Sequence, residues 1–425
     1  MWRIGLVLAL LVGGLASGPG PAGAQSMKLT WWEHANPPHN EYSKELVARY
    51  HRAQSKVAVS YEVFPMTPYF KKVTVAMSTK TGPDMFTVMD PLMPTFIEKK
   101  MMAPLDPRSL GHASMDDMKS KYLPGALDGY MAEGKLYALP IVSGTMSLFL
   151  NKRHFEEAGL DPDKDYPQTW DQLARIGKKL VKFEGDKMVR EAFDFAMHSS
   201  SWTMSQFEPI LRQFGGSTLD PTGRRCTVNS EAGVKAMRLR ASFALEYKIS
   251  DPTVSVATHP LPAEDLAQGR VSMFITHPGS VAQFGPEKMK DLKVVPLPQV
   301  DPKKPVTHFY GFALAVNPDI PADRQKAAHE LMRFLVLNPK EWLEHTAYPL
   351  PIKGFLEIPG VRSHPYIDVF IQDMSTGRFV TRSPKFTEIA DAMHRAMERV
   401  VLNRVDPKRS LDQACQEIDL ALSKP

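Results

Sequence analysis

The amino-acid sequence predicts an α/β protein folded as two lobes joined by chain crossovers. Three observations predict it. From Lys28 to Lys100, strand and helix periods alternate, and a β-α-β-α-β-α order implies a mostly parallel sheet with helices on its faces. The chain has 425 residues, a length that favours two cores over one. The stretch Gly134–Lys152 reads as two short strands, Leu136–Ile141 and Met146–Leu150, interrupted by Val142-Ser143-Gly144-Thr145. A strand that leaves one lobe, opens briefly to solvent and enters a second has this form.

The elements follow in order. Lys28–Trp32 is a short apolar strand, and Asn40 is placed to cap a helix carrying Tyr42, Leu46 and Tyr50 on one face. Val57, Val59, Tyr61 and Val63 recur at the strand period. Pro68–Ser78 reads as a helix, Asp84–Met89 as a strand ending at Asp90-Pro91, and Met93–Lys100 as a helix. Past Lys152, the spacing predicts a helix to Ala158 and another opened by a Thr169/Gln172 capping box. Phe193–Met197 is a strand candidate. Helices are expected over Met204–Phe214, over Glu231–Tyr247 behind a Ser230 cap, and over Pro262–Gln268. Val271–Ile275, Lys293–Leu297 and Phe309–Val316 read as strands. Pro321 opens a helix, and the tail is helical at Phe386–Leu402 and Leu411–Ser423.

Composition bounds the function. Hydrophobic residues make up 43% and charged residues 23%, which describes a soluble globular chain. The formal net charge of +5 is dispersed, with no dense basic run, which argues against nucleic-acid binding. Residues 1–24 have the form of an export signal: Arg3, the apolar run Ile4–Ala16, and Ala22-Gly23-Ala24 as a cleavage site. That run is short for a membrane span. Cys226 and Cys415 are the two cysteines. Neither follows the signal, so no lipid-modified cysteine is expected at the mature N-terminus. In an oxidising compartment the two could pair, and two buried thiols are the alternative.

Enzyme motifs are missing. The sequence has no G-x-x-x-x-G-K-[ST], no G-x-S-x-G and no C-x-x-C, and His329-Glu330 lacks the second histidine of a zinc-protease helix. A recurrent loop type takes their place, in which strand ends carry an aromatic, a hydroxyl, a carboxylate or an imidazole. The candidates are Trp32, Glu33 and His34, with Trp31 and Trp32 facing opposite sides; Tyr69; Asp90; Ser143, Gly144 and Thr145; Trp202; Ser280; Tyr310 and Gly311; and Tyr348. In open α/β sheets, ligands bind beyond the carboxyl ends of strands. Aromatic rings there stack on the apolar face of a sugar while hydroxyls and carboxylates take its polar groups. His198, His277 and His308 fall near the same loops, and with Arg382 they hint at an anionic ligand group. No metal spacing is present.

Four segments together resemble the carbohydrate-type extracellular solute-binding proteins of ABC importers, the group that includes maltodextrin- and glycerol-3-phosphate-binding proteins. They are Tyr137-Ala-Leu-Pro-Ile through Leu148-Phe-Leu-Asn-Lys and on to Thr169-Trp-Asp-Gln-Leu; Ala267-Gln-Gly-Arg-Val-Ser-Met-Phe-Ile with Pro278-Gly-Ser; Tyr310-Gly-Phe-Ala-Leu-Ala-Val; and Tyr348-Pro-Leu-Pro. The resemblance implies the two-lobed type II periplasmic-binding-protein fold, with lobes discontinuous in sequence and ligand in the cleft between them. It places lobe 1 at 27–139 and 279–318, and lobe 2 at 140–278 and 319–425. It carries over Tyr69, Asp90, Ser143, Gly144, Ser280, Gly311 and Tyr348 as ligand contacts, with Arg382 as a loose match. Asp90 stands where the glycerol-3-phosphate group has Glu, and Tyr310 where a second Gly is common. The implied protein is a periplasmic monomer without cofactor or catalytic residue. It binds a sugar, polyol or glycerophosphate-like solute and passes it to inner-membrane ABC permease subunits. A periplasmic glycoside or phosphodiester hydrolase using Asp90 and Glu33, and a receptor for a signalling partner, are the alternatives.

Overall fold

The computed structural model describes residues 26–194, 197, 199–251, 265–266 and 268–424. The expected export signal, His198, Ala267 and most of the Pro262–Gln268 helix lie outside the described residues. In chain order the strands are β1 (Met27–His34), β2 (Val57–Phe64), β3 (Met85–Met89), β4 (Met131–Ala132), β5 (Lys135–Leu136), β6 (Ala138–Thr145) and β7 (Ser147–Asn151). They continue with β8 (Lys182–Glu184), β9 (Lys187–Phe193), β10 (Val271–Thr276), β11 (Leu292–Val295), β12 (Thr307–Val316) and β13 (Gly377–Phe379). The helices are α1 (Pro37–Ala53), α2 (Met66–Ser78), α3 (Met93–Glu98), α4 (Met115–Lys121), α5 (Lys152–Glu157), α6 (Trp170–Leu180) and α7 (Ser200–Gln213). After them come α8 (Glu231–Leu245), α9 (Gly279–Met289), α10 (Ala322–Leu335), α11 (Pro339–Thr346), α12 (Ile367–Ser375), α13 (Phe386–Val401) and α14 (Pro407–Leu422).

The first sheet runs β2-β1-β3-β12-β13, and β6 joins it along β12. β1 is parallel to β2 and β3, as the alternating order requires, whereas β12 returns antiparallel to β3 and β6. One core serves this lobe, with Leu29, Trp31, Phe86, Leu314, Leu331 and Trp342 all buried in it. The second sheet runs β11-β7-β10-β9-β8. Its faces bury different residues at the strand period: Leu148 and Leu150 enter one core with Phe207 and Ile389, and Phe149 enters another with Phe274 and Phe284. A sheet covered on both faces reads as a continuous apolar run, and Leu148-Phe149-Leu150 is one. Local signals hold where they were specific. Thr169 and Gln172 form the capping box that opens α6, and Ser230 accepts from the Gly233 amide to start α8.

Two sequence expectations are corrected. Val142–Thr145 is not a solvent-open loop. It is the end of β6, fully buried, and pairs with Phe309–Phe312 of β12. Polar residues tolerate this because the β12 ladder satisfies their backbone. The lobe boundaries also shift. Residues 279–297 belong to the second lobe, since β11 pairs with β7 and Phe284 sits in the core of Phe149 and Phe274. Residues 319–346 belong to the first. Arg324 reaches Asp84 at 2.6 Å, Glu341 accepts from Tyr42 at 3.0 Å, and α10 and α11 fill the first core. The chain therefore changes lobe at Met146, between β11 and β12, and just after β13, rather than near 278 and 318. The helix over residues 367–375 was not anticipated.

Within the second lobe, Cys226 and Cys415 form a disulfide, with Cα atoms 5.2 Å apart and 189 residues between them in sequence. A crosslink over so long a loop removes much unfolded-chain entropy. Replacing both cysteines with alanine should cost about 2–4 kcal/mol, the usual worth of such a bridge. Chemical denaturation of the variant against the oxidised protein measures it.

Candidate functional site

The carboxyl ends of β1, β3 and β10 and the first turn of α7 lie where the lobes face each other across the β6–β12 ribbon. A chain of rings connects the lobes there. The Tyr310 hydroxyl donates to the Tyr348 hydroxyl at 3.1 Å, and Tyr348 in turn meets His277 Nδ1 at 2.9 Å. Tyr348 follows α11 in the first lobe and His277 ends β10 in the second, so this bond spans the lobes. Trp202, in the first turn of α7, stacks over His277 with centroids 6.3 Å apart, and His308 stacks on Tyr310 at 5.7 Å. Burial pulls the His277 imidazole down to about 4 and His308 to about 3, with Arg212 adding to the latter, so both rings are neutral. With Tyr348 accepting from Tyr310, its own hydroxyl donates to His277 Nδ1 in the ring tautomer that leaves that nitrogen unprotonated.

Glycines give these rings their places. A Cβ on Gly144 would lie 2.7 Å from the Tyr310 ring, and one on Gly279 would lie 2.5 Å from the Tyr348 ring. Beyond the end of β3, the Gly311 amide donates to Asp90 Oδ1 at 3.0 Å. Burial pushes the Asp90 carboxyl up to about 7, against the pull of that amide and of Arg382. Several buried polar atoms near this ribbon have no protein partner: Asp90 Oδ2, Tyr130 Oη, Ser143 Oγ, Thr145 Oγ1, His308 Nδ1 and His34 Nδ1. Buried polar atoms are nearly always bonded, so these are the candidates at the ribbon for contacts with a bound molecule or water. The His34 ring lies tilted beside that of Phe312, with centroids 4.2 Å apart, and 5.7 Å from that of Phe70. Ser280 is buried, its hydroxyl 2.9 Å from that of Thr276 at the end of β10.

Four sequence candidates fall elsewhere. Trp32 packs on Phe64, with Lys72 over its ring at 4.7 Å, on the α2 side of the sheet, while Trp31 is in the core. Glu33 is consumed inside the first lobe. His39 Nε2 lies 2.9 Å away, and Tyr61, Asn40 and Thr87 donate to it. Burial raises its carboxyl, but His39, His34 and Tyr61 outweigh that and hold it below the usual range. Tyr69 is a structural pin whose hydroxyl donates to the Thr87 carbonyl at 2.8 Å and accepts from the Thr87 amide at 3.0 Å. Arg382 donates to the Asp128 carbonyl at 2.6 Å and lies over the Phe379 ring, lining a groove of about 1180 Å³ between the lobes. Tyr130 was missed. Its Asp128-Gly129-Tyr130 turn carries no pattern, and only the fold brings it beside Gly311.

Gly311 has the least room of these positions. An added Cβ would meet Tyr130 Oη at 2.2 Å and the Val142 carbonyl oxygen at 2.5 Å, and the latter is strand backbone that cannot yield. Gly311→Ala should therefore cost about 1–3 kcal/mol, the usual price of overpacking. Denaturant titration reads this directly, and an unchanged midpoint would contradict the geometry.

Comparison with known proteins agrees with this architecture. The profile of the family described as "Bacterial extracellular solute-binding protein" matches residues 36–340. A putative binding protein of Brucella abortus is 22% identical over 436 residues, covering 100% of this chain and 99% of that protein. A maltotriose-binding protein of Pyrococcus abyssi is 21% identical over 392 residues, 91% of this chain and 79% of that one. An ABC transporter solute-binding protein of Thermotoga lettingae, crystallised with α-D-tagatose, superimposes with a TM-score of 0.79 at 21% identity, covering 94% of this chain and 100% of that one. Two lobes, each on its own sheet with one antiparallel strand returning through the first, are thus the type II binding-protein fold, and this chain belongs to the bacterial extracellular solute-binding protein family.

Proposed function

We propose that the chain is the periplasmic receptor of an ABC importer and that it takes an uncharged, polyhydroxylated solute, a sugar or polyol, between its lobes. The observation that carries the ligand class is the ring and hydroxyl chain Trp202–His277–Tyr348–Tyr310 at the lobe interface. Flat faces beside neutral donors and acceptors suit a sugar, whose ring has an apolar face and a hydroxyl edge. The maltotriose-binding relative and the tagatose-bound neighbour support this reading. The glycerophosphate-like variant finds less support, because His277 and His308 are neutral and Arg382 is engaged with the Asp128 carbonyl. The position of Glu33 supports a binding rather than a catalytic reading. Glu33, the second carboxylate of the hydrolase reading, is saturated by its own lobe.

The solute touches both lobes only when they are closed, so its differential affinity sets the closed population. The closed monomer then docks on membrane permease subunits. Export with cleavage near Ala24 completes the reading, and the disulfide fits an oxidising compartment.

Calorimetric titration with tagatose, maltotriose, sorbitol and sn-glycerol 3-phosphate tests the class. A neutral member should bind and raise the melting temperature. Binding of glycerol phosphate alone would overturn it. For the ligand that binds, Trp202→Ala should weaken affinity at least about tenfold, equal to 1.4 kcal/mol.

Asp90 supplies a pH test. A ligand hydroxyl donating to Oδ2 favours the ionised carboxyl, so affinity should rise as pH increases through about 7. In Asp90→Asn that dependence should vanish. A wild-type affinity that is flat from pH 6 to 8 would remove Asp90 from the ligand's contacts.

A further inference from the structure

Helix α12 belongs to neither lobe alone. Ile367 and Met374 are buried in the core of the first lobe, while Phe370 is buried with Phe149 and Phe284 of the second. Near its C-terminal end, Asp373 is buried, and its carboxyl oxygen Oδ2 accepts two bonds from the second lobe. The Ser147 hydroxyl donates at 2.7 Å, and the Leu297 amide at 3.2 Å. Ser147 is the first residue of β7, just past the first crossover, and Leu297 stands just before the second. The backbone of the same turn holds the other side. Thr307, the first residue of β12, donates its hydroxyl to the Asp373 carbonyl and its amide to the Thr376 carbonyl. Gly377 then opens β13, which leads into the third crossover. One helix turn thus touches the chain at the first two places where it changes lobe and runs through β13 into the third.

We infer that Asp373 is the positioning residue of the hinge: its carboxyl ties Ser147 and Leu297 to α12 and so makes the first two crossovers turn with the helix that leads into the third as the lobes open and close. A carboxyl oxygen suits the task, because it accepts two donors from different strands without fixing the angle between them as an extra covalent link would. Small shifts about such a node become rigid-body rotations because the packed lobes on either side do not deform. The inference rests on the lobe-closure reading above and concerns the protein without ligand, so the two can fail separately.

Spin labels on cysteines replacing Lys44 of α1 and Lys235 of α8, both exposed, report the interlobe distance, and the native cysteines are already paired. In ligand-free Asp373→Ala the distance distribution should broaden relative to the parent, because the crossovers then move independently. Asp373→Asn, which keeps one acceptor oxygen, should fall between the two. Ser147→Ala removes one of the two ties and should broaden the distribution in the same direction with the Leu297 bond still in place. It serves as the deciding variant if Asp373→Ala fails to fold. Unchanged distributions in the folded variants, or a melting temperature loss with no change in interlobe distance, would reduce Asp373 to a plain structural residue and overturn the proposal.

Discussion

The antiparallel pairing of β6 with β12 is the constraint on which the remaining structure depends. β6 carries the chain out of the first lobe and β12 carries it back, and they are hydrogen-bonded from Ala138 to Thr145 against Phe309 to Ala315. A two-stranded ribbon of this kind satisfies its backbone polar groups internally, so it can run buried between two cores without a desolvation cost. It also fixes which residues meet. Gly144 must lie opposite Tyr310 and Ser143 opposite Gly311. Each pair sets a small residue against something larger, the Tyr310 ring in one case and Tyr130 in the other.

The electrostatics of the interface follow from burial more than from charge pairing. His34, His277 and His308 are all pulled well below their ordinary range by desolvation. Asp90 is pushed the other way by the same cause. Near neutral pH the imidazoles carry no charge, and the interface offers dipoles and ring faces in their place. Glu33 is held below its usual range instead, because interactions with His39, His34 and Tyr61 outweigh its burial. That Glu33 is saturated within its own lobe while Asp90 keeps one oxygen without a protein partner was invisible in the sequence, where both stand at the end of a strand of the same lobe.

Much of the fold was legible because its signals are local. The β-α-β alternation up to Lys100, the capping box at Thr169 and the apolar run Leu148–Leu150 depend on residues within a turn or two of each other. Of the residues gathered around the β6–β12 ribbon, Asp90, Ser143, Gly144, Ser280, Tyr310, Gly311 and Tyr348 were legible as candidates, because a strand end there carries a polar or aromatic residue inside a family pattern. Reading failed at Trp32 and Tyr69, because a strand end says nothing about which side chain turns to the cleft and which to the helices behind. It failed at Tyr130 because that residue reaches the ribbon from a turn with no periodicity.

The lobe boundaries show where local information stops. Residues 279–297 and 319–346 have periods that suit either lobe, and only the pairing of β11 with β7 and the burial of Trp342 beneath α1 assign them. The sequence by itself determined the strand and helix order, the two-lobe plan, the small residues of the first crossover and the presence of two cysteines. Only the tertiary fold sets where the chain changes lobe, that the cysteines pair, that Asp90 Oδ2 lacks a protein partner, and that α12 packs against both lobes. The physical reason is range. Periodicity and capping are set by neighbours along the chain, whereas burial, pairing and hydrogen-bond satisfaction are set by neighbours in space.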